Sequence, residues 1–139
     1  MSIQQTLTTS FKQQILLGEH DLATDTLKIA LYTAFVNLGP DTTVYSTTNE
    51  ITGTGYTAGG KVLTGVTIST SPNGTVYVDF DNVVWNPAAF TCRGALIYNA
   101  SKSNKSIAVL DFGADKTCSN TFTVQMPENT STAALLRFK

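Results

Sequence analysis

RGALIYNASKSNKSIAVLDFGADKT, residues 93–117, is the stretch whose reading decides the fold class. Gly94–Asn99 (GALIYN) and Ser106–Phe112 (SIAVLDF) are apolar on both faces, the pattern of central strands. The polar run SKSNK at 101–105 reads as the turn between them. Outward from this pair the strand pattern continues in both directions. Upstream, TLKIALYT (26–33) places Leu27, Ile29 and Leu31 on one face and Lys28, Ala30 and Tyr32 on the other. Val62–Thr70 reads as a second strand. Asn73-Gly74 then precedes a renewed alternation of Val76, Val78 and Phe80, a strong hairpin signal. Val83–Trp85 is a short apolar piece ended by Asn86-Pro87. Downstream, Asn120–Gln125 alternates with Phe122 and Val124 inward, and Ala133–Phe138 closes the chain as a last strand.

One helix is expected, at the front. Ser10 can act as N-cap with Gln13 closing a capping box, Phe11, Ile15 and Leu16 recur at helical spacing, and Gly18 supplies the stop. Ile3 and Leu7 extend the same stripe upstream, against the β-branched Thr6, Thr8 and Thr9. Between the first two strands lies a long Gly/Thr-rich loop, 37–61, including GTGYTAGG at 53–60, inside which Val44 and Tyr45 form a brief strand. Loops of this length are uncommon unless they have a function or short elements of their own. Strands do not alternate with helices, so a doubly wound α/β fold is not expected. The expectation is an all-β chain. It forms one domain over 1–139, a β-sandwich or jelly-roll-like barrel with a short N-terminal helix, in which 1–20 form an arm and that helix.

Composition bounds the function. With 139 residues one core suffices, since a domain of this size buries roughly 68% of its unfolded surface. Only 14% of residues are charged, against about 25% in a typical soluble domain, and Thr, Ser, Asn and Gly take their place. The net charge of −1, with Lys102 and Lys105 as the longest basic cluster, argues against a nucleic-acid partner. No run approaches the roughly 20 apolar residues that span a bilayer, so no membrane partner is expected. Met1–Gln14 lacks an apolar core of the signal-peptide kind, which makes synthesis in a cytoplasm the expectation. Cys92 and Cys118 are then expected to be free thiols.

Nothing in the chain assembles as a catalytic set. Gly55–Val62, GYTAGGKV, matches a phosphate-binding P-loop until Val62 stands where Ser or Thr must reach magnesium, and the next segment reads as strand and not helix. The single histidine, His20, reads as a solvated turn residue rather than a metal ligand or a triad member. Asp79 and Asp81 put two carboxylates on one face, but no second acidic cluster completes a calcium or glycosidase site, and a solvated strand end is the plainer reading. Tyr32, Tyr45, Tyr56, Tyr77, Trp85 and Tyr98 could line a sugar-binding face, though so dispersed a set reads more readily as core or interface. No catalytic residue, metal, cofactor or small-molecule substrate is therefore expected.

Three stretches carry a resemblance: FKQQILLGEHDLATDTLKIALYT (11–33), TTNEITGTGYTAGGKVLTGV (47–66) and RGALIYNASKSNKSIAVLDFGADKT (93–117), with VYVDFDNVVW (76–85) between the blocks. Together they resemble a family of small virion structural proteins of tailed bacteriophages. The resemblance implies a protein present in many copies on the particle. Its best single role is a capsid cement or decoration protein on the capsid surface, with the major capsid protein and its own copies, as dimer or trimer, for partners. A tail-, collar- or fibre-associated role is the alternative. The family motif carries no functional residues onto this chain. From physics alone, Phe11, Tyr45, Tyr56, Gly59 and Gly60 are the expected interface residues, drawn from the helix and the long loop.

Overall fold

The computed structural model describes residues 2–138. The two strands expected at its centre lie there: β7 (Phe90–Asn99) and β8 (Lys105–Cys118) run antiparallel over most of their length. β2 (Leu27–Tyr32) pairs along β7 from Leu27 opposite Asn99 to Tyr32 opposite Gly94. β1 (Thr6–Leu7) and β3 (Lys61–Val62) complete a five-stranded antiparallel sheet in the order β1-β8-β7-β2-β3. The remaining strands are β4 (Thr67–Thr70), β5 (Val76–Asp79), β6 (Val83–Trp85), β9 (Phe122–Val124) and β10 (Leu136–Phe138). They build a three-stranded sheet, β10-β5-β4, and a two-stranded sheet, β6-β9.

The fold is thus all-β with one short helix, as the patterning predicts. Of the two architectures expected, the layered one is formed and the barrel is not: all three sheets stay open. The main core lies between the large sheet and the two small ones. Leu27, Ile29, Leu31, Ala95 and Ile97 meet Val78, Leu136, Val83, Trp85 and Val124 there. Burying each large side chain of this set contributes about 1.5–3 kcal/mol before chain entropy is charged against it.

Period-2 alternation sends Ala30, Tyr32, Leu96, Tyr98 and Val109 to the other face of the large sheet, where they form a second buried cluster with Val36 and Leu38. That face is covered by the long loop and the N-terminal arm. Ile3 bridges Leu38 in parallel, Gln4 N–H donates to Leu38 O at 2.8 Å, and Leu38 N–H donates to Ser2 O at 3.0 Å. Two apolar faces on the central strands therefore required two covering layers, and a segment with little regular structure supplies the second. A β-bulge between the pairs Ile97–Ala108 and Tyr98–Ser106 leaves Ile107 unpaired, so that Ile107 and Ala108 both serve the main core.

Four local expectations are corrected. The helix α1 (Thr9–Leu16) is capped by Thr8 and not by Ser10: Thr8 Oγ1 accepts from Phe11 N–H at 3.3 Å. Thr8 is held in place by its own N–H, which donates to Ile107 O at 3.0 Å. The stripe through Ile3 and Leu7 is not helical, because Thr6 and Leu7 pair with Val109 and Ala108 as β1. Leu16 lies outside the buried stripe, with 88% of its surface exposed. The segment 62–70 is not one strand. Leu63 turns into the core and donates to Leu27 O, and the chain then leaves the large sheet and joins the small one as β4.

Candidate contact surface

The residues expected at an interface occupy unequal places. Phe11 is 0% exposed and packs in the main core against His20 and Phe138, so it is not available for contact. Three of the other four, Tyr45, Tyr56 and Gly59, converge on one carboxylate not expected at an interface, Glu50. Tyr45 Oη donates to Glu50 Oε1 at 2.6 Å, and Tyr56 Oη donates to Glu50 Oε2 at 2.5 Å. Gly59 N–H donates to the same Oε2 at 2.8 Å. Tyr56 Oη also accepts from Leu31 N–H, and Tyr98 Oη donates to Gly59 O at 2.6 Å. Tyr45 stacks on Tyr98 with ring centroids 4.6 Å apart. Gly60 lies beside β2 in the left-handed region, at φ +80°, where a Cβ would fall 1.8 Å from Ile29 O.

This arrangement ties the 37–61 loop down from inside. Burial and the Glu50 charge both push the Tyr45 and Tyr56 hydroxyls well above the ordinary phenol range, and Tyr98 is pushed up to about 12 by the same two causes. The hydroxyls stay protonated as donors at any physiological pH. Replacing Glu50 with Gln turns one acceptor into a donor facing a donor. A loss of about 2 kcal/mol is expected, the range for a hydrogen bond to a charged group, together with faster amide exchange at Gly59. Unchanged urea unfolding and unchanged protection would show that the carboxylate contributes nothing.

The outward surface is made by other residues. Leu16 and Leu17 (66% exposed) close the helix, and Phe35 (66%) and Val44 stand on the loop. Val62, Val66, Ile68 and Val84 are exposed on or beside the sheet edges, and Val76 on the central strand of the three-stranded sheet. A signal for the first two was present: Ile15-Leu16-Leu17 spans more of the helix circumference than a single stripe does, and Phe11 and Ile15 already define the buried side. Phe35 carried no such signal. The outer edge of β4 is unpaired, and TIST at 67–70 holds none of the Lys, Pro or inward charge that usually guards an edge. A groove of about 630 Å³ opens between the arm and the loop, where hydroxyl and amide side chains, among them Asn37, Thr42, Ser46 and Asn49, alternate with Val36, Leu38, Pro40 and Val44 beside the Asp41 carboxylate.

Three further sequence readings change. His20 is not a solvated turn residue: it is buried and hydrogen-bonded on both ring nitrogens. Asp79 is not a solvated strand end. It is buried, and burial raises its pKa despite the Phe80 N–H donated to it at 3.0 Å. Because the folded value lies above the unfolded one, the contribution of Asp79 to stability is greatest in acid and is lost as pH rises through the folded pKa. Asp79→Asn is therefore expected to raise the melting temperature at neutral pH, with the gain over wild type growing as pH rises above about 4. A lower melting temperature, by the same amount at every pH, would contradict this. In the P-loop-like stretch, Lys61 sits in β3 with Nζ donating to Val84 O and lying 5.7 Å over the Trp85 ring.

Among the described residues, no three His, Cys, Asp or Glu side chains converge as a metal set, and no helix is long and apolar enough to cross a membrane. Cys92 and Cys118 are both free. Of the aromatics weighed as a sugar-binding face, Tyr32, Trp85 and Tyr98 are buried and Tyr45, Tyr56 and Tyr77 half-buried, so they form no exposed stacking platform. No family model, no curated protein and no solved structure matches the chain.

Proposed function

We propose that the chain is a structural component of a tailed-bacteriophage particle: a capsid cement protein that sits on the capsid surface as a dimer or trimer and stabilises the shell of major capsid protein. The observation that carries this reading is the placement of the exposed apolar residues. Leu16 and Leu17 at the end of α1, Phe35 on the loop, Ile68 on β4 and Val84 on β6 stand around a body whose two cores are already complete. Such a distribution suits several modest contacts with a repeating surface better than one deep pocket. The low charge supports it too, because few ions need be desolvated at a many-sided interface. The resemblance of 11–33, 47–66 and 93–117 to small virion proteins points the same way.

The test is quantitative gel analysis of heads separated from tails. Cement predicts recovery with heads, in a copy number comparable to that of the shell subunits. Recovery with tails, in multiples of three or six, would replace it with the tail, collar or fibre role. The hydroxyl and amide side chains of the groove favour one addition to either role, binding of a neutral saccharide. A glycan array without a binder removes that addition.

A further inference from the structure

The buried histidine has a chemistry of its own that is independent of the particle role. His20 is 8% exposed and sits between α1 and the turn joining β7 to β8. Its Nε2 lies 2.8 Å from Gln14 Oε1 on α1, and its Nδ1 lies 2.9 Å from Asn99 Nδ2 at the end of β7. The Phe11 ring packs 5.0 Å away.

The orientation of Asn99 fixes the tautomer. Asn99 is fully buried, its Oδ1 accepts from Ser101 N–H at 3.0 Å, and its Nδ2 donates to Asp25 Oδ2 at 2.7 Å. The amide therefore presents a donor to His20 Nδ1, which must hold a lone pair. The proton sits on Nε2 and is donated to Gln14. A second proton on Nδ1 would set N–H against N–H. Rotating the Asn99 amide does not relieve this, because it would point Oδ1 at the Asp25 carboxylate and the NH₂ at the Ser101 N–H. One contact would be repaired at the loss of two.

The charges around the ring do not reverse the preference. Asp25 and Glu19 favour the cation, but Asp25 is paired with Lys102 at 2.8 Å and Glu19 with Lys105 at 2.5 Å, and both lysines oppose it. Asp21 is exposed and α1 itself contributes only the exposed Lys12. Burial is the largest effect, and it holds the imidazole below its ordinary 6.5.

We propose that His20 is an acid-sensitive latch: its neutral ring ties α1 to the β7–β8 turn, and protonation on Nδ1 breaks that tie and loosens the helix from the sheet. A group whose folded pKa is lowered binds fewer protons in the folded state, so its stabilisation is present above the unfolded value near 6.5 and is lost as pH falls through it. Asp25 adds a separate window further down. Burial raises its pKa, but the hydrogen bonds from Lys102, Asn99 and the Asp21 amide outweigh that and hold it at about 2, so its contribution is lost only as pH falls below its ordinary 3.8. Above the Asp25 window the loss belongs to His20. The element released carries Leu16 and Leu17, the exposed apolar pair at the helix end.

Imidazole ¹⁵N NMR of the full chain tests the latch directly. The expected result is the Nε2–H tautomer with a titration midpoint below 6.5. Amide exchange in α1, corrected for intrinsic rates, should lose protection between about pH 7.5 and about pH 5, with a ceiling of roughly 30-fold set by the ordinary imidazole pKa. His20→Asn keeps an acceptor at the Nδ1 position and cannot titrate, so its α1 protection should stay level. Asn99→Asp replaces the opposing donor with an acceptor and should move the His20 midpoint upward. An Nδ1–H tautomer, a wild-type midpoint at or above 6.5, or equal losses of protection in wild type and His20→Asn would each overturn the latch. Should either variant fail to fold, the wild-type tautomer and midpoint still decide the matter.

Discussion

Replacing Trp85 by alanine is expected to destabilise the protein by about 3–5 kcal/mol, the range for deleting a large buried aromatic side chain. Trp85 is 1% exposed and is the hub where the sheets meet. It lies on β6 in the smallest sheet, with Phe122 of β9 at 6.0 Å, Phe90 of β7 at 6.4 Å and Tyr56 of the loop at 6.3 Å. Two of these neighbours also pack on each other, Phe90 against Phe122 at 5.4 Å, so the walls of the vacated space are braced and cannot collapse into it. Against a typical total stability of 5–15 kcal/mol, such a loss leaves a substantial unfolded fraction at physiological temperature. Urea unfolding with an unchanged slope and a lowered midpoint is the expected readout. A loss under about 1 kcal/mol would mean that the two-stranded sheet packs loosely and that the core is confined to the other two.

Gly60→Ala is expected to cost nearly as much, about 2–5 kcal/mol, for a different reason. The position combines a left-handed backbone at φ +80°, which penalises any L side chain by about 1–2 kcal/mol, with a Cβ position 1.8 Å from Ile29 O. The obstacle is backbone in the middle of β2, so relief requires moving β3 away from β2, and the strain of such overpacking adds typically 1–3 kcal/mol. Gly74→Ala is the control. Its φ of +90° is equally unsuited to alanine, but nothing lies within 4 Å of the added Cβ, so only the backbone penalty of about 1–2 kcal/mol is expected. Equal losses in the two variants would show that the strand beside Gly60 yields freely. In Gly60→Ala the Glu50 contacts should loosen as well, because Gly59 donates to Glu50 and accepts from Tyr98. Faster exchange at Leu31 and Gly59 would report it.

The particular successes and failures of the sequence reading follow from the range of the interactions involved. The hairpin at Asn73-Gly74 was legible because turn chemistry is local: Gly74 N–H donates to Ser71 O and Thr70 pairs with Val76 around it. The helix cap was misplaced by two residues because Thr8 and Ser10 are chemically equivalent caps. The choice between them was made by β1–β8 pairing across roughly a hundred residues of chain. The break within 62–70 was hidden for a related reason. A strand that changes sheet shows the same alternation on either side of the change.

The contact surface was the least legible part. Tyr45, Tyr56, Gly59 and Gly60 stood out because aromatic and glycine residues in a long loop attract notice, and the structure does bring them together. Glu50 did not stand out, since a lone carboxylate among threonines reads as solvated until three donors are seen to meet it. His20 and Asn99 were opaque for the same reason, lying 79 residues apart in the chain.

Composition and periodicity by themselves determined that this is an all-β chain with a short leading helix, which strands lie at its centre, and that those strands are apolar on both faces. These are properties of neighbouring residues, and period-2 alternation reports them directly. Only the tertiary structure decided what covers the second face, how the sheets divide, and which polar groups are buried. Those outcomes depend on pairings between distant segments. A loop expected to supply interface residues became the second layer of the core because two apolar faces cannot both be left in water.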